Sequence, residues 1–155
     1  MKTLAKLFAV AAVAATAVTP VVAQDALEGA VKARQSHMQL LAFNLGTLGN
    51  MARGRADYDA AAAQAAADNL VVLSQMNQMP YWPAGSDSDA MEISAALPAI
   101  WEDFAGVGAA GADYAAAAAA MQAAAGEGLE SLQGAMGALG ASCGGCHQSY
   151  RKPQG

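Results

Sequence analysis

Apolar side chains recur at alternating steps of three and four over much of this chain. Near the end, Leu129, Leu132, Met136, Leu139, Cys143, Cys146 and Tyr150 follow that rhythm. So do Ile100, Phe104, Val107, Gly111, Tyr114, Ala118, Met121 and Ala125, and, earlier, Val31, Arg34, Met38, Leu41, Leu45 and Leu48. A seven-residue repeat of this kind draws a narrow stripe along a helix and suits helices packed nearly parallel or antiparallel. A fainter stripe passes through Ala66, Leu70 and Leu73. Alternating runs rich in Val, Ile and Thr are missing, and Ala, Leu, Met and Gln favour helix.

Glycines and prolines divide these stripes. The pattern predicts a first helix from Asp25 to about Met51, ending at the Arg53-Gly54 turn. A second begins near Asp57, which can cap it, and stops at "QMPYWPAGSDSD". From Pro80 to about Asp89 a long loop carries two prolines and polar turn residues. A third helix runs from about Pro98, tolerated in a first turn, to Ala125 before Gly126 and Gly128, and a fourth from Leu129 to Tyr150. The expected fold is all-α: an antiparallel up-down four-helix bundle.

The start of the chain stands apart. Lys2 and Lys6 precede an apolar run from Leu7 to Val18, Thr19-Pro20 breaks it, and Val21-Val22-Ala23 offers small residues for cleavage. This is the layout of a secretory signal peptide, and the run is too short and too interrupted for a membrane anchor. Residues 1–23 are expected to be removed and 24–155 to form one domain. The formal charge is −5 for the full chain, and cleavage takes away two of its eight basic residues and none of its 13 acidic ones. Clustered cations for a phosphate backbone are lacking, so nucleic acid is not an expected partner. A basic protein surface is. No later apolar segment is long enough to cross a membrane, so the cleaved product is expected to be soluble.

Both cysteines and one of the two histidines lie in "CGGCH", on the stripe of the last helix. Cys143, Cys146 and His147 share a helix face. Two thiols can add to the two vinyl groups of a haem while the next imidazole reaches the iron, and Cys-x-x-Cys-His is the attachment signal for haem c. A zinc site wants four ligands, and a redox Cys-x-x-Cys belongs to a βαβ context. A disulfide closing so small a loop stabilises little, though an oxidising compartment keeps it as an alternative. Arg34, a guanidinium on an apolar stripe, calls for an anion inside the bundle. Haem propionates supply one, and Gln35 can donate to the same oxygens. The opposing view is an Arg34 stem lying on the bundle with its head in water.

"VKARQSHM" in the first helix and "CGGCHQSYRK" at the end, with "YDAAA" and the Pro-Ala-Ile-Trp stretch at Pro98 between them, resemble the cytochrome c prime family, the class II c-type cytochromes. The similarity spans nearly all of the chain after the leader. It implies a periplasmic bacterial protein with one covalent haem c, thioether bonds at Cys143 and Cys146, and His147 as axial ligand. It further implies Arg34 and Gln35 as haem contacts, Asp89 as a haem neighbour, Arg151 beside the proximal histidine on the same helix face, and Met38 facing the far side of the iron. Two readings of Met38 stand. Either it crowds a five-coordinate iron that admits NO or CO, or its thioether is a sixth ligand, which suits low-spin electron transfer. Redox proteins are the implied partners, and a homodimer is a further option. The expected role is electron transfer rather than enzymatic turnover: a peroxidase would want a distal acid or base, for which His37 is the one candidate, and its position off the stripe suggests a surface or rim histidine. Trp82 and Trp101 read as packing residues, and Gly111 as a place of close approach.

Overall fold

A computed structural model describes residues 21–153. The expected leader falls outside the described residues except for its last three positions, which begin the first helix. Five helices follow in order: α1 (Val21–Ala52), α2 (Ala60–Ser74), the single turn α3 (Ala99–Glu102), α4 (Phe104–Ala125) and α5 (Leu129–Tyr150). No β-strand occurs among the described residues. The four long helices form the bundle.

Its antiparallel course can be read from hydrogen bonds. Gln133 at the start of α5 donates to the Ala52 carbonyl at the end of α1, 2.8 Å away. The Tyr58 hydroxyl, just before α2, donates to Ala125 O at the end of α4 (2.8 Å) and accepts from Gly128 N–H just beyond it (3.0 Å). Gly128 makes that α4–α5 turn with φ 115°, a backbone conformation that costs glycine least.

The core fills this end of the bundle. Leu48 and Met51 from α1, Ala63, Ala66, Ala67 and Leu70 from α2, Ala118, Met121 and Ala125 from α4, and Leu132 and Leu139 from α5 are buried together. Alanines on α2 and α4 let those helices approach closely, and the leucines contribute about 1.5–3 kcal/mol each on burial. Gln64 and Gln122 bridge α2 to α4 through the Asp68 carboxylate, both at 2.9 Å.

Two expected boundaries are corrected. The cap of α2 is Asp59, whose carboxylate accepts from Ala62 N–H at 2.9 Å, and not Asp57. The third expected helix is two pieces: Asp103 at φ −135°, ψ 61° breaks it, then caps α4 by accepting from Gly106 N–H at 2.8 Å. An N-cap residue must leave helical geometry to use its side chain in this way.

Residues 75–98 cross the far end of the bundle. A 3-10 turn at Met79–Tyr81 starts the segment. The Asp87 carboxylate then accepts from Asp89 and Ala90 N–H groups, which hold it below the usual carboxylate range, Ala90 most. Trp82 and Trp101 pack edge to face with ring centroids 6.3 Å apart.

Candidate functional site

At the far end the seam of α5 opens. Leu132 and Leu139 are fully buried, but Cys143 and Cys146, farther along the same stripe, and the adjacent His147 are only half-buried. The corresponding stretch of α1 behaves alike: Leu48 is buried, Leu41 and Leu45 partly, and Met38 is 38% exposed and outside the core cluster. On α4, Phe104 is exposed and Gly111 has open space beside it rather than a close neighbour. The helices pack tightly around Leu48 and Leu132, and the stretch that carries Met38, Gly111, Cys143 and Cys146 is less closely covered.

The donors there fit a covalently held porphyrin. Both cysteines are free thiols, with no disulfide between them. Burial, then the neighbouring Cys143, pushes the Cys146 thiol up. Burial first and the Arg151 charge second push the His147 imidazole below its usual value; the neutral ring favoured by both is the form that ligates a metal. A Cβ added at Gly144 or Gly145 would meet nothing within 4 Å, so the ledge between the thiols is clear. A surface groove of about 670 Å³ between Leu27, Glu28, Met91 and Ile93 contains none of these residues.

Arg34 is 5% exposed and held by the crossing segment. Its Nη1 donates to Tyr81 O (3.1 Å) and Ser86 Oγ (2.8 Å), its Nη2 to Ser86 O and to Ser94 Oγ (2.7 Å), and its Cζ lies over the Trp82 ring, 4.9 Å from the centroid. The acceptors are neutral oxygens. Burial lowers the guanidinium pKa, and the charge of Asp87 works against that shift. Gln35, the next residue, points elsewhere, donating to Ile93 O at 2.7 Å. Asp89 is exposed in the same segment.

Two neighbouring expectations are corrected. His37 is not a surface or rim residue. It is 3% exposed, beside the Tyr81 ring at 6.4 Å, and neither ring nitrogen finds a hydrogen-bond partner among the described residues. Burial favours its neutral form. Arg151 does not lie on the helix face of His147. It is the first residue past α5, extended at φ −121°, ψ 136° and bridged to Ala96, though its N–H still reaches the His147 carbonyl at 3.2 Å. Tyr150 and Asp103 were not foreseen: the Tyr150 hydroxyl donates to Asp103 Oδ2 at 2.6 Å. The sequence signal was an aspartate three residues before Gly106, the spacing of an N-cap.

The cytochrome C′ family model matches residues 29–151, the span that includes both the α1 face and the thiol ledge. The chain belongs to the cytochrome c′ family. Cytochrome c-554 of Cereibacter sphaeroides is 44% identical over 150 residues, covering 86% of this chain and 88% of that protein. The solved cytochrome c′ from Rhodobacter spheriodes superposes with a TM-score of 0.81 at 38% identity, covering 83% and 98% of the two chains. A carbon monoxide-bound variant of cytochrome c prime from Alcaligenes xylosoxidans superposes at 0.71 with 34% identity, covering 82% and 97%. This chain is a class II c-type haem cytochrome with the four-helix bundle of that family, a family that binds haem c.

Proposed function

We propose that this cytochrome carries a single haem c, with Cys143 and Cys146 adding their S–H bonds across its vinyl groups and His147 as axial ligand, and that it shuttles electrons in the periplasm after its leader, residues 1–23, is cleaved. When bound, the haem supplies a reversible one-electron iron couple. The observation that carries this reading is the geometry of the ledge: two free thiols and a neutral imidazole on one helix face, half-buried over open space. α5 positions these groups on one face and leaves them partly open to solvent. Arg34, whose two Nη groups hold the crossing segment, Gln35, Asp89 and Arg151 are assigned to the haem surroundings, as the family resemblance implies. No described helix is long and apolar enough to cross a membrane. The acidic surface fits a basic redox partner.

Expression in a host that matures c-type cytochromes tests this directly. Haem should stay on the chain in a denaturing gel and add its mass to the peptide carrying Cys143 and Cys146. The double variant Cys143→Ala/Cys146→Ala should lose both signals. A colourless wild-type product would end the reading.

The sixth position of the iron divides the function. In the first reading it is open and takes NO or CO; a variant of the Alcaligenes relative has been solved with carbon monoxide bound. A second reading, with Met38 as ligand, is favoured by that side chain being uncommitted to the core while Leu41 and Leu45 pack against it. High-spin bands and rapid gas binding in the absorption spectrum select the first. A low-spin spectrum that turns high-spin in Met38→Ala selects the second. Peroxidase chemistry is disfavoured, because His37 sits buried beside Tyr81, and a negligible peroxide turnover unaltered by His37→Ala would agree. Exposed Leu40 and Phe43 on α1, Val72 on α2 and Met76 just beyond it offer a face for a second copy, across helices joined by the Asn69–Asn44 hydrogen bond (3.0 Å). Sedimentation of wild type against Phe43→Glu reads that dimer.

A further inference from the structure

The crossing segment is tied both to α1 and to the end of α5 that carries the proposed haem ligands. On the α1 side, Arg34 holds Ser86 and Ser94, and Gln35 holds Ile93. On the α5 side, Leu97 N–H donates to the Tyr150 carbonyl at 3.0 Å and Lys152 N–H to Ala95 O at 2.8 Å. The last turn of a helix leaves its carbonyls without intrahelical partners and tends to fray. In α5 that turn carries His147. Here the His147 carbonyl accepts from Arg151, the Tyr150 carbonyl accepts from Leu97, and the Tyr150 hydroxyl grips Asp103.

Asp103 has two duties. Its Oδ1 caps α4 through Gly106 N–H at 2.8 Å, and its Oδ2 receives the Tyr150 hydroxyl at 2.6 Å. A hydrogen bond to a carboxylate is shorter and stronger than one between neutral groups. Gly106 makes room for it: a Cβ there would collide with both Tyr150 Oη and Asp103 Oδ2. Three residue choices thus agree on one contact, which fastens the end of α5 to the start of α4.

We infer that Tyr150, Asp103 and Gly106 form a latch that positions the His147 imidazole and thereby sets how the iron divides between five- and six-coordinate states. The inference rests on the haem reading above. A proximal ligand on a fixed turn keeps one tilt and one reach toward the metal. On a fraying turn it samples several, and the occupancy of the opposite position changes with it. These are positioning residues; none of them touches the reacting atoms.

The test uses the haem-loaded protein. Tyr150→Phe keeps the ring, the cap of α4 and every backbone bond, and removes the latch bond alone. Gly106→Ala keeps both side chains and displaces the bond. Asp59→Ala is the control, a lost cap of the same kind on α2, at the other end of the bundle. The latch variants should change the ratio of high- to low-spin species in the oxidised spectrum by about threefold or more, with a matching change in reduction potential, while Asp59→Ala leaves both as in wild type. Wild-type spectra and potential in Tyr150→Phe and Gly106→Ala would overturn the inference. So would an equal change in Asp59→Ala, which would mark the effect as general destabilisation. Failure of the haem reading is read separately, as wild-type protein without covalent haem.

Discussion

The two ends of this bundle use the same repeat to opposite purposes. Around Leu48, Leu70, Met121, Leu132 and Leu139 the stripes of four helices interlock and exclude solvent. A few turns away the same stripes hold Met38, Phe104, Gly111, Cys143 and Cys146, and they do not close. Periodicity sets which face of each helix points inward. It does not set how far the helices stand apart; that depends on side-chain volume and on what else lies between them. The closed end supplies the stability, and the open end leaves its stripe residues less closely covered.

The largest test of that contrast lies in the core. Leu132→Ala or Leu139→Ala should cost about 2–5 kcal/mol in urea unfolding, because neighbours of a fully buried leucine collapse only partly into the gap. Met38→Ala should fall within about 0.5 kcal/mol of wild type in the haem-free chain, as an exposed side chain does. Equal losses would mean that the two ends are packed alike.

Arg34 comes next. Arg34→Met keeps much of the stem but leaves Ser86 O, Ser86 Oγ, Ser94 Oγ and Tyr81 O without their donor. A loss of about 2–3 kcal/mol is expected, since hydrogen bonds to a charged donor are worth more than neutral ones. Hydrogen exchange should quicken at the Ser88 and Leu97 amides of the crossing segment before it does in the core. Smaller still is Asp59→Ala at the other end, about 1 kcal/mol for a lost N-cap, read as a shift in thermal midpoint without effect on exchange in residues 75–98.

What the residues revealed in advance follows the range of the interaction. The stripes of α1, α4 and α5, and the span Leu129–Tyr150, were legible because helix faces are local. Cys143, Cys146 and His147 had to share a face once α5 was a helix. The start of α2 was misjudged because Asp57 and Asp59 are equal candidates to a local pattern. The break at Asp103 was missed because a continuous rhythm runs through it. The surroundings of Arg34 and His37 were out of reach for another reason. The partners of Arg34 lie 47 to 60 residues away, on a segment whose own pattern is only "loop". Burial of His37 depends on that same segment bringing Tyr81 against it.

Acid gives the finest comparison of the two ends, because each has a carboxylate held below its usual range. At the closed end Asp68 is depressed by the amide of Gln122 first and that of Gln64 second, with burial opposing them. At the open end Asp103 is depressed by the Tyr150 hydroxyl first and Gly106 N–H second, burial again opposing. A folded-state pKa below the unfolded value of about 3.9 gives stability that is present above that pH and lost as pH falls through the folded value. Wild type should therefore lose stability between about pH 4 and pH 2, and Asp68→Asn and Asp103→Asn should each flatten part of that limb. Asp103 is exposed and Asp68 only part-buried, so each share is small. Only the spectrum separates them. In the haem-loaded protein the acid limb of Asp68→Asn should change with the visible bands unmoved at neutral pH, whereas Asp103→Asn should move both, because its carboxylate grips the turn that carries His147.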